Sequence, residues 1–218
     1  MKLIAYLFPL FIALTPLPAL AQEVAPDALV KGISNEVLDI IRKDKEIQSG
    51  NTRKIVELVE VKVLPHFNFD RMTAYAVGVN WRRATPEQQK LLVEQFKTLL
   101  VRTYSTALAS YKNQVIEFKP LRAQAADAEV KVRSEIKQPG TQAVTIDYSM
   151  EKTPAGWKVF DVEVGGVSLV ANYRETFTSE IRSAGIDGLI KTLSSKNKQL
   201  ETKTWCGAKA IAWSWTGR

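Results

Sequence analysis

Cysteine is nearly absent from this sequence. Cys206 is the single one, so no disulfide can form within the chain and the fold has to rest on packing. Histidine is as scarce, with His66 alone between Pro65 and Phe67. One His and one Cys without ligand spacing argue against a zinc or iron site, and no cofactor or metal is expected. The signatures of catalysis are missing as well: there is no Gly-x-Ser-x-Gly, no His-Glu-x-x-His and no glycine-rich phosphate loop. A lone His at a helix end more often caps or packs than acts as a base. Cys206 has no His near it in sequence to make it a nucleophile. Past the first residues no apolar stretch approaches the roughly 20 residues that cross a bilayer.

The beginning of the chain is different. Lys2 gives a short positive region, Leu3 to Leu14 are apolar, Pro16 and Pro18 break any helix, and Ala19-Leu20-Ala21 offers the small-x-small pattern of signal peptidase. Residues 1–21 are therefore expected to be a cleaved signal peptide, with Gln22 as the first mature residue. No Cys follows the cleavage site to anchor a lipoprotein. The net charge is +7, and losing Lys2 lowers it by one. Nucleic acid is not the expected partner, because an exported protein rarely meets it and the aromatics are not interleaved with basic runs. The excess fits anionic membrane surfaces or acidic protein partners, or simply a solvated basic surface.

Helices are expected first. Leu29, Ile33, Val37, Leu38, Ile40 and Ile41 recur at helical spacing after Pro26-Asp27, up to Lys45. A second helix spans Thr52 to Leu64, stopped by Pro65, and Asn68 caps a third that runs to Gly78. Thr85-Pro86-Glu87-Gln88 has the order of a capping box with proline at the first helical position. The long helix it opens runs to about Tyr111. Its apolar stripe, including Leu91, Leu92, Phe96, Leu99, Leu100, Tyr104 and Leu108, is wider than one contact surface needs. That width implies two packed layers, or a layer and a ligand.

The period then switches to two. Strands are expected at Val115 to Leu121, Ala128 to Ile136, Val144 to Glu151 and Trp157 to Val164, separated by Pro139-Gly140 and Pro154-Ala155-Gly156. Helical patterns resume at Val170 to Ser183 and, after Gly185, at Ile186 to about Lys198. The fold class is α+β: helices packed on a twisted antiparallel β-meander. Its apolar face collects Ile116, Phe118, Val130, Val132, Val144, Ile146, Tyr148, Phe160, Val162 and Val164. Asp147, Asp161 and Glu163, the carboxylates an acid/base enzyme on such a cone-like fold would use, alternate onto the opposite face as solvated charges. Periodicity does not separate a filled core from a hollow one.

Three stretches carry a family likeness. They are His66-Phe67-Asn68-Phe69-Asp70-Arg71-Met72 with Gly78, then Trp81-Arg82-Arg83-Ala84-Thr85-Pro86-Glu87-Gln88 continuing to Phe96, Leu99-Leu100 and Tyr104. The third runs from Trp157-Lys158-Val159 through Asp161-Val162 and Gly166-Val167-Ser168-Leu169-Val170 to Asn172-Tyr173-Arg174, Phe177, Ile181, Gly185, Leu189-Ile190 and Leu193. Over roughly residues 27–200 the chain resembles the MlaC family of Mla-type periplasmic phospholipid carriers, also described as toluene-tolerance auxiliary proteins. The resemblance implies a monomeric shuttle that takes phospholipid between an outer-membrane lipoprotein–porin complex and an inner-membrane Mla-type ABC transporter complex, without enzymatic activity. It also implies a deep apolar cavity between helices and sheet, in a lipid-binding domain over residues 22–202. Leu92, Phe96, Leu99 and Tyr104 of the long helix, with Val132, Val144, Ile146, Tyr148, Val162 and Val164 of the sheet's apolar face, are then expected to bind the acyl chains. Asn172, Tyr173 and Arg174 are expected near the mouth with the head group, although Arg174 has an equal alternative in pairing with Glu175 or an acid of the sheet. Residues 203–218, with Trp205, Cys206, Trp213 and Trp215, match nothing in the family and form an atypical tail. The competing functions are a small-molecule isomerase or hydrolase and a ligand-free periplasmic adaptor.

Overall fold

The computed structural model describes residues 24–109, 114–124, 126–140 and 142–205. The expected signal peptide, Tyr111 and the tail beyond Trp205 lie outside the described residues. Among the described residues, six α-helices and five strands follow one another as α1 Pro26–Lys43, α2 Lys45–Gln48, α3 Thr52–Lys62, α4 Phe69–Val77, α5 Pro86–Ala109, β1 Val115–Phe118, β2 Glu129–Lys137, β3 Val144–Thr153, β4 Gly156–Val164, β5 Val167–Ser168 and α6 Leu169–Trp205. The sheet is a pure meander in the order β1-β2-β3-β4-β5, every neighbour antiparallel. The α+β class expected from the sequence is the observed one.

Local chemistry explains the boundaries. The capping box forms reciprocally at the start of α5: the Gln88 amide N–H donates to Thr85 Oγ1 at 3.2 Å, and the Thr85 N–H donates to Gln88 Oε1 at 3.0 Å. Asn68 Oδ1 accepts from the Arg71 N–H at 3.1 Å and starts α4. Asp44 interrupts the first expected helix, because its carboxylate accepts from the N–H groups of Glu46 and Ile47 and caps α2 instead.

Helix α6 is one element only by continuity. Gly185 sits at φ 74° and ψ −178°, a conformation confined almost entirely to glycine, and the helix folds back there. The first half descends along α5, Tyr173 and Phe177 both lying against Phe96. The second half climbs back along the same helix. Gln88 Nε2 donates to Asp187 at 2.8 Å, Asn197 Nδ2 donates to the Gln95 carbonyl at 2.9 Å, and Arg102 pairs with Glu201 at 3.3 Å. The wide stripe of α5 is thus used by two helical layers, α6 on one side and α3 on the other.

Among the described residues the interior divides into three clusters. One joins α4, α5 and α6 around Met72, Leu92, Phe96, Leu99, Phe177 and Leu189. Another joins α1, α2, α3 and α5 around Val37, Ile41, Ile47, Ile55 and Val101. The third seats Val30 of α1 on Val132, Met150 and Val159 of the sheet. Among the described residues, neither helical cluster includes a side chain from a strand, and Phe67 is the residue that packs against both the first and the third.

Candidate lipid-binding site

The sheet's apolar face carries the alternation the sequence implied, with one exception. Tyr148 pairs with Val162, but Met150 pairs with Val159, so one extra residue is accommodated in β4. This bulge turns Val159 inward, where it is 3% exposed, and sends Phe160 to the other face. The expectation that Phe160 faces inward is corrected: its ring lies under the Arg71 guanidinium at 3.7 Å.

The expected lining residues fall into distinct sets. Leu92, Phe96, Leu99 and Val132 are 0–1% exposed, closed over by protein on all sides. In this conformation they stand behind any lining rather than on it, because a side chain facing an open cavity keeps accessible surface. Val144, Ile146, Tyr148, Val162 and Val164 are half-buried. Of these, Tyr148 and Val162 border the α1–sheet cluster. The Tyr148 hydroxyl reaches Ser134 and Ser34, and burial holds its pKa above the ordinary tyrosine value. Beyond it, Val144, Ile146 and Val164 pack into none of the three clusters, nor do Ile116 and Ile136. The register joins them: Ile116 lies opposite Ile136, Ile136 opposite Val144, and Ile146 opposite Val164. These five aliphatic side chains make one continuous, half-buried apolar patch on four adjacent strands. Ile136 was not singled out as a site residue, although its place in the β2 alternation was the signal for it.

On the helical side Tyr104 is 38% exposed, and its hydroxyl is hydrogen-bonded to that of Tyr173. Burial, together with the neighbouring Tyr104, pushes the Tyr173 pKa up to about 12. Tyr173 fills the space between Phe96 and Phe177, at ring distances of 5.1 and 5.5 Å. Asn172 and Arg174 are exposed. Arg174 Nε donates to the Tyr75 carbonyl at 2.8 Å, a hydrogen bond with a backbone oxygen in place of either acidic partner considered for it.

The opposite face of the sheet is a ladder of charges. Arg133 pairs with Asp147 at 3.8 Å, Lys131 with Glu163, and Lys137 with Glu117 at 2.5 Å. Asp161 departs from the solvated role expected for it. It accepts from Ser168 Oγ and from the Val170 N–H at 3.2 Å, while Ser168 Oγ accepts from the Ala171 N–H, so the pair caps α6. At the edge of β4, Arg71 donates to Glu151 and Glu129 at 2.5 Å each, and Asn68 Nδ2 donates to Glu151 at 2.7 Å. Burial opposes the guanidinium charge there, but its hydrogen bonds to Tyr75, Glu129 and Glu151 outweigh that and raise the Arg71 pKa. His66 sits in a 3₁₀ turn beside this edge, and burial, with Lys158 nearby, lowers its pKa so that the neutral ring is favoured.

An open groove of about 420 Å³ runs past Phe67, Phe69, Lys97 and Lys158. It is lined by cations and by Asp70 and contains none of the expected lipid-binding residues, so it is unsuited to acyl chains. Among the described residues there is no group of His, Cys, Asp and Glu that would hold a metal, and no helix long and apolar enough to cross a membrane.

The family model described as MlaC protein matches residues 31–195. The chain belongs to the MlaC family. It is 28% identical over 185 residues to the toluene tolerance protein ttg2D of Pseudomonas putida, covering 84% of each chain. It is 22% identical over 180 residues to the intermembrane phospholipid transport system binding protein MlaC of Haemophilus influenzae, covering 81% of this chain and 84% of that one. Among solved structures it resembles a phospholipid-binding protein from Ralstonia solanacearum in complex with a phospholipid. That likeness has a TM-score of 0.77 at 40% identity, over 82% of this chain and 99% of the other. The MlaC family assignment and the α+β architecture thus agree with the likeness read from the three sequence stretches.

Proposed function

We propose that this MlaC-family chain carries phospholipid across the periplasm and is not an enzyme. The observation that carries the reading is the patch of Ile116, Ile136, Val144, Ile146 and Val164: continuous aliphatic surface, half-buried, outside every core cluster and free of ionisable groups. Two acyl chains of about sixteen carbons lose on the order of 25 kcal/mol if left in water, so a carrier needs an extended apolar wall of this kind. The chains lie against that wall and under Tyr148 and Val162. Leu92, Phe96, Leu99 and Val132 support the walls from behind. The head group stays by Tyr104, Asn172, Tyr173 and Arg174. The 40% identical relative solved with a phospholipid bound supports the same cargo.

The exchange partners in this reading are the inner-membrane Mla-type ABC transporter complex and the outer-membrane lipoprotein–porin complex. Exposed Arg82, Arg83, Lys191, Lys196 and Lys198 suit acidic partner surfaces and act mainly on association rate. The carrier works as a monomer, exported with cleavage after Ala21. Intact-mass measurement of periplasmic protein should find Gln22 as the first residue; a mass retaining residues 1–21 would refute the export step.

The deciding experiment is a lipid extract of the gently purified protein, expected to hold phospholipid at near-stoichiometric amount. Ile146→Trp places an indole in the proposed channel and should lower that amount several-fold while leaving the melting temperature nearly unchanged. Full occupancy in the folded variant would show that the patch faces something else. An absence of lipid from the parent protein would favour a ligand-free adaptor.

A further inference from the structure

Along β3 the apolar face of the sheet changes character at one position. Val144 and Ile146 are half-buried and belong to none of the core clusters, whereas Met150 is fully buried and packs with Val159 against Val30 of α1. Tyr148 stands between the two sets. It lies in register with the buried Val132 on one side and the half-buried Val162 on the other. From Val144 to Tyr148 the open strip measures about 14 Å along the strand, at about 3.4 Å per residue. Tyr148 is where that strip stops and the packed interior begins.

The ring is also held in place. Its hydroxyl is hydrogen-bonded to Ser134 of β2 and to Ser34, which follows Val30 by one turn on α1. Ser134 is itself buried, and its hydroxyl donates to the Ile146 carbonyl at 3.0 Å. These bonds tie β2, β3 and α1 together across the end of the strip. A satisfied network of this kind resists displacement, because moving the ring would leave polar groups buried without partners. The aliphatic wall therefore ends in a fixed bar rather than in a side chain that gives way.

We propose that Tyr148, braced by Ser34 and Ser134, limits how far an acyl chain runs along the strip and so sets the chain length of the phospholipid carried. The proposal rests on the carrier reading and names its specificity. The chain end meets the phenol ring, and methylenes that the ring keeps from the strip are left to water. Each of them costs the complex about fourfold in affinity, the equivalent of ~0.8 kcal/mol. In a bilayer the same methylenes are buried, so the discrimination falls on the longer lipids when the protein loads from a membrane.

The test is loading of the delipidated full chain from vesicles that hold dimyristoyl, dipalmitoyl and distearoyl phosphatidylglycerol in equal amounts. The protein is repurified and its lipid read by mass spectrometry, with melting temperature measured in parallel. Tyr148→Ala should raise the ratio of distearoyl to dimyristoyl lipid at least about fourfold over the parent, and Tyr148→Trp should lower it. Tyr148→Phe keeps the ring and removes the braces, so its ratio should fall between those of the parent and the alanine variant. If the alanine variant does not fold, the Phe and Trp ratios decide the matter. A tyrosine that only fills the core would lower the melting temperature and leave the ratio unchanged in every folded variant, which would overturn the proposal alone. A parent chain that takes up no phospholipid would overturn the carrier reading and this proposal with it.

Discussion

Phe96→Ala should lower the unfolding free energy by about 3–5 kcal/mol, a large part of what holds a domain of this size together. The side chain is fully buried, and its ring meets Tyr173 and Phe177 edge-on at 5.1 and 5.2 Å with interplanar angles of 75° and 74°. Truncation removes the transfer free energy of the ring, two aromatic contacts of about 0.5–1.5 kcal/mol each, and leaves a cavity that the fold-back of α6 cannot easily collapse. Urea titration of delipidated protein is the measurement, because cargo bound only to the folded state would mask part of the loss. The midpoint should fall at nearly constant slope. A loss below about 1 kcal/mol would show that Phe96 faces space after all, returning it to the lining.

Arg71→Ala should be the next most damaging change, at about 2–4 kcal/mol. The Arg71 and Glu151 side chains are 19% and 17% exposed, so the pair stands between a surface ion pair worth about 0–1 kcal/mol and a buried one whose breaking costs about 3–5. Removal strands Glu151 with only Asn68 as a donor and uncovers the Phe160 ring. Lysine should not rescue it, since Arg71 uses its fork to hold Glu129, Glu151 and Tyr75 together. Glu129→Gln is the control, with less than about 1 kcal/mol expected because that side chain is 56% exposed. Equal losses from both variants would show that the node contributes through charge number rather than through geometry.

Much of the fold was legible because its signals are local. The capping box at Thr85 and Gln88, the Asn68 cap, the alternation of β2 and β3 and the break at Gly185 each depend on residues within a few positions of one another. The bulge in β4 was not, since Phe160 and Val159 are both apolar and only pairing with β3 decides which turns inward. The α5 stripe gave the right width and two possible meanings. Its division between α3 and the doubled-back α6 depends on contacts close to a hundred positions away, such as Asn197 with Gln95. The candidate site was legible as a face but not as a surface: Val132 and Val144 obey the same alternation, yet α1 covers one and none of the core clusters includes the other.

The separation of the interior into three clusters has an energetic corollary. Parting the sheet from the helices near α4 frees Phe67, the Asn68 hydrogen bonds to Val159 and Glu151, the Lys158 bond to the Pro65 carbonyl, the Tyr75–Phe160 contact and the Arg71 contacts, with the Phe96 and Ile41 clusters left whole. Helix α1 is the strut that keeps the parts in register, as Val30 belongs to the sheet's cluster and Val37 and Ile41 to a helical one. A protein divided in this way has sub-global openings well below its full unfolding free energy. Its amide protons should exchange in separate tiers, with β1 and the free ends of β2 and β3 exchanging long before α5.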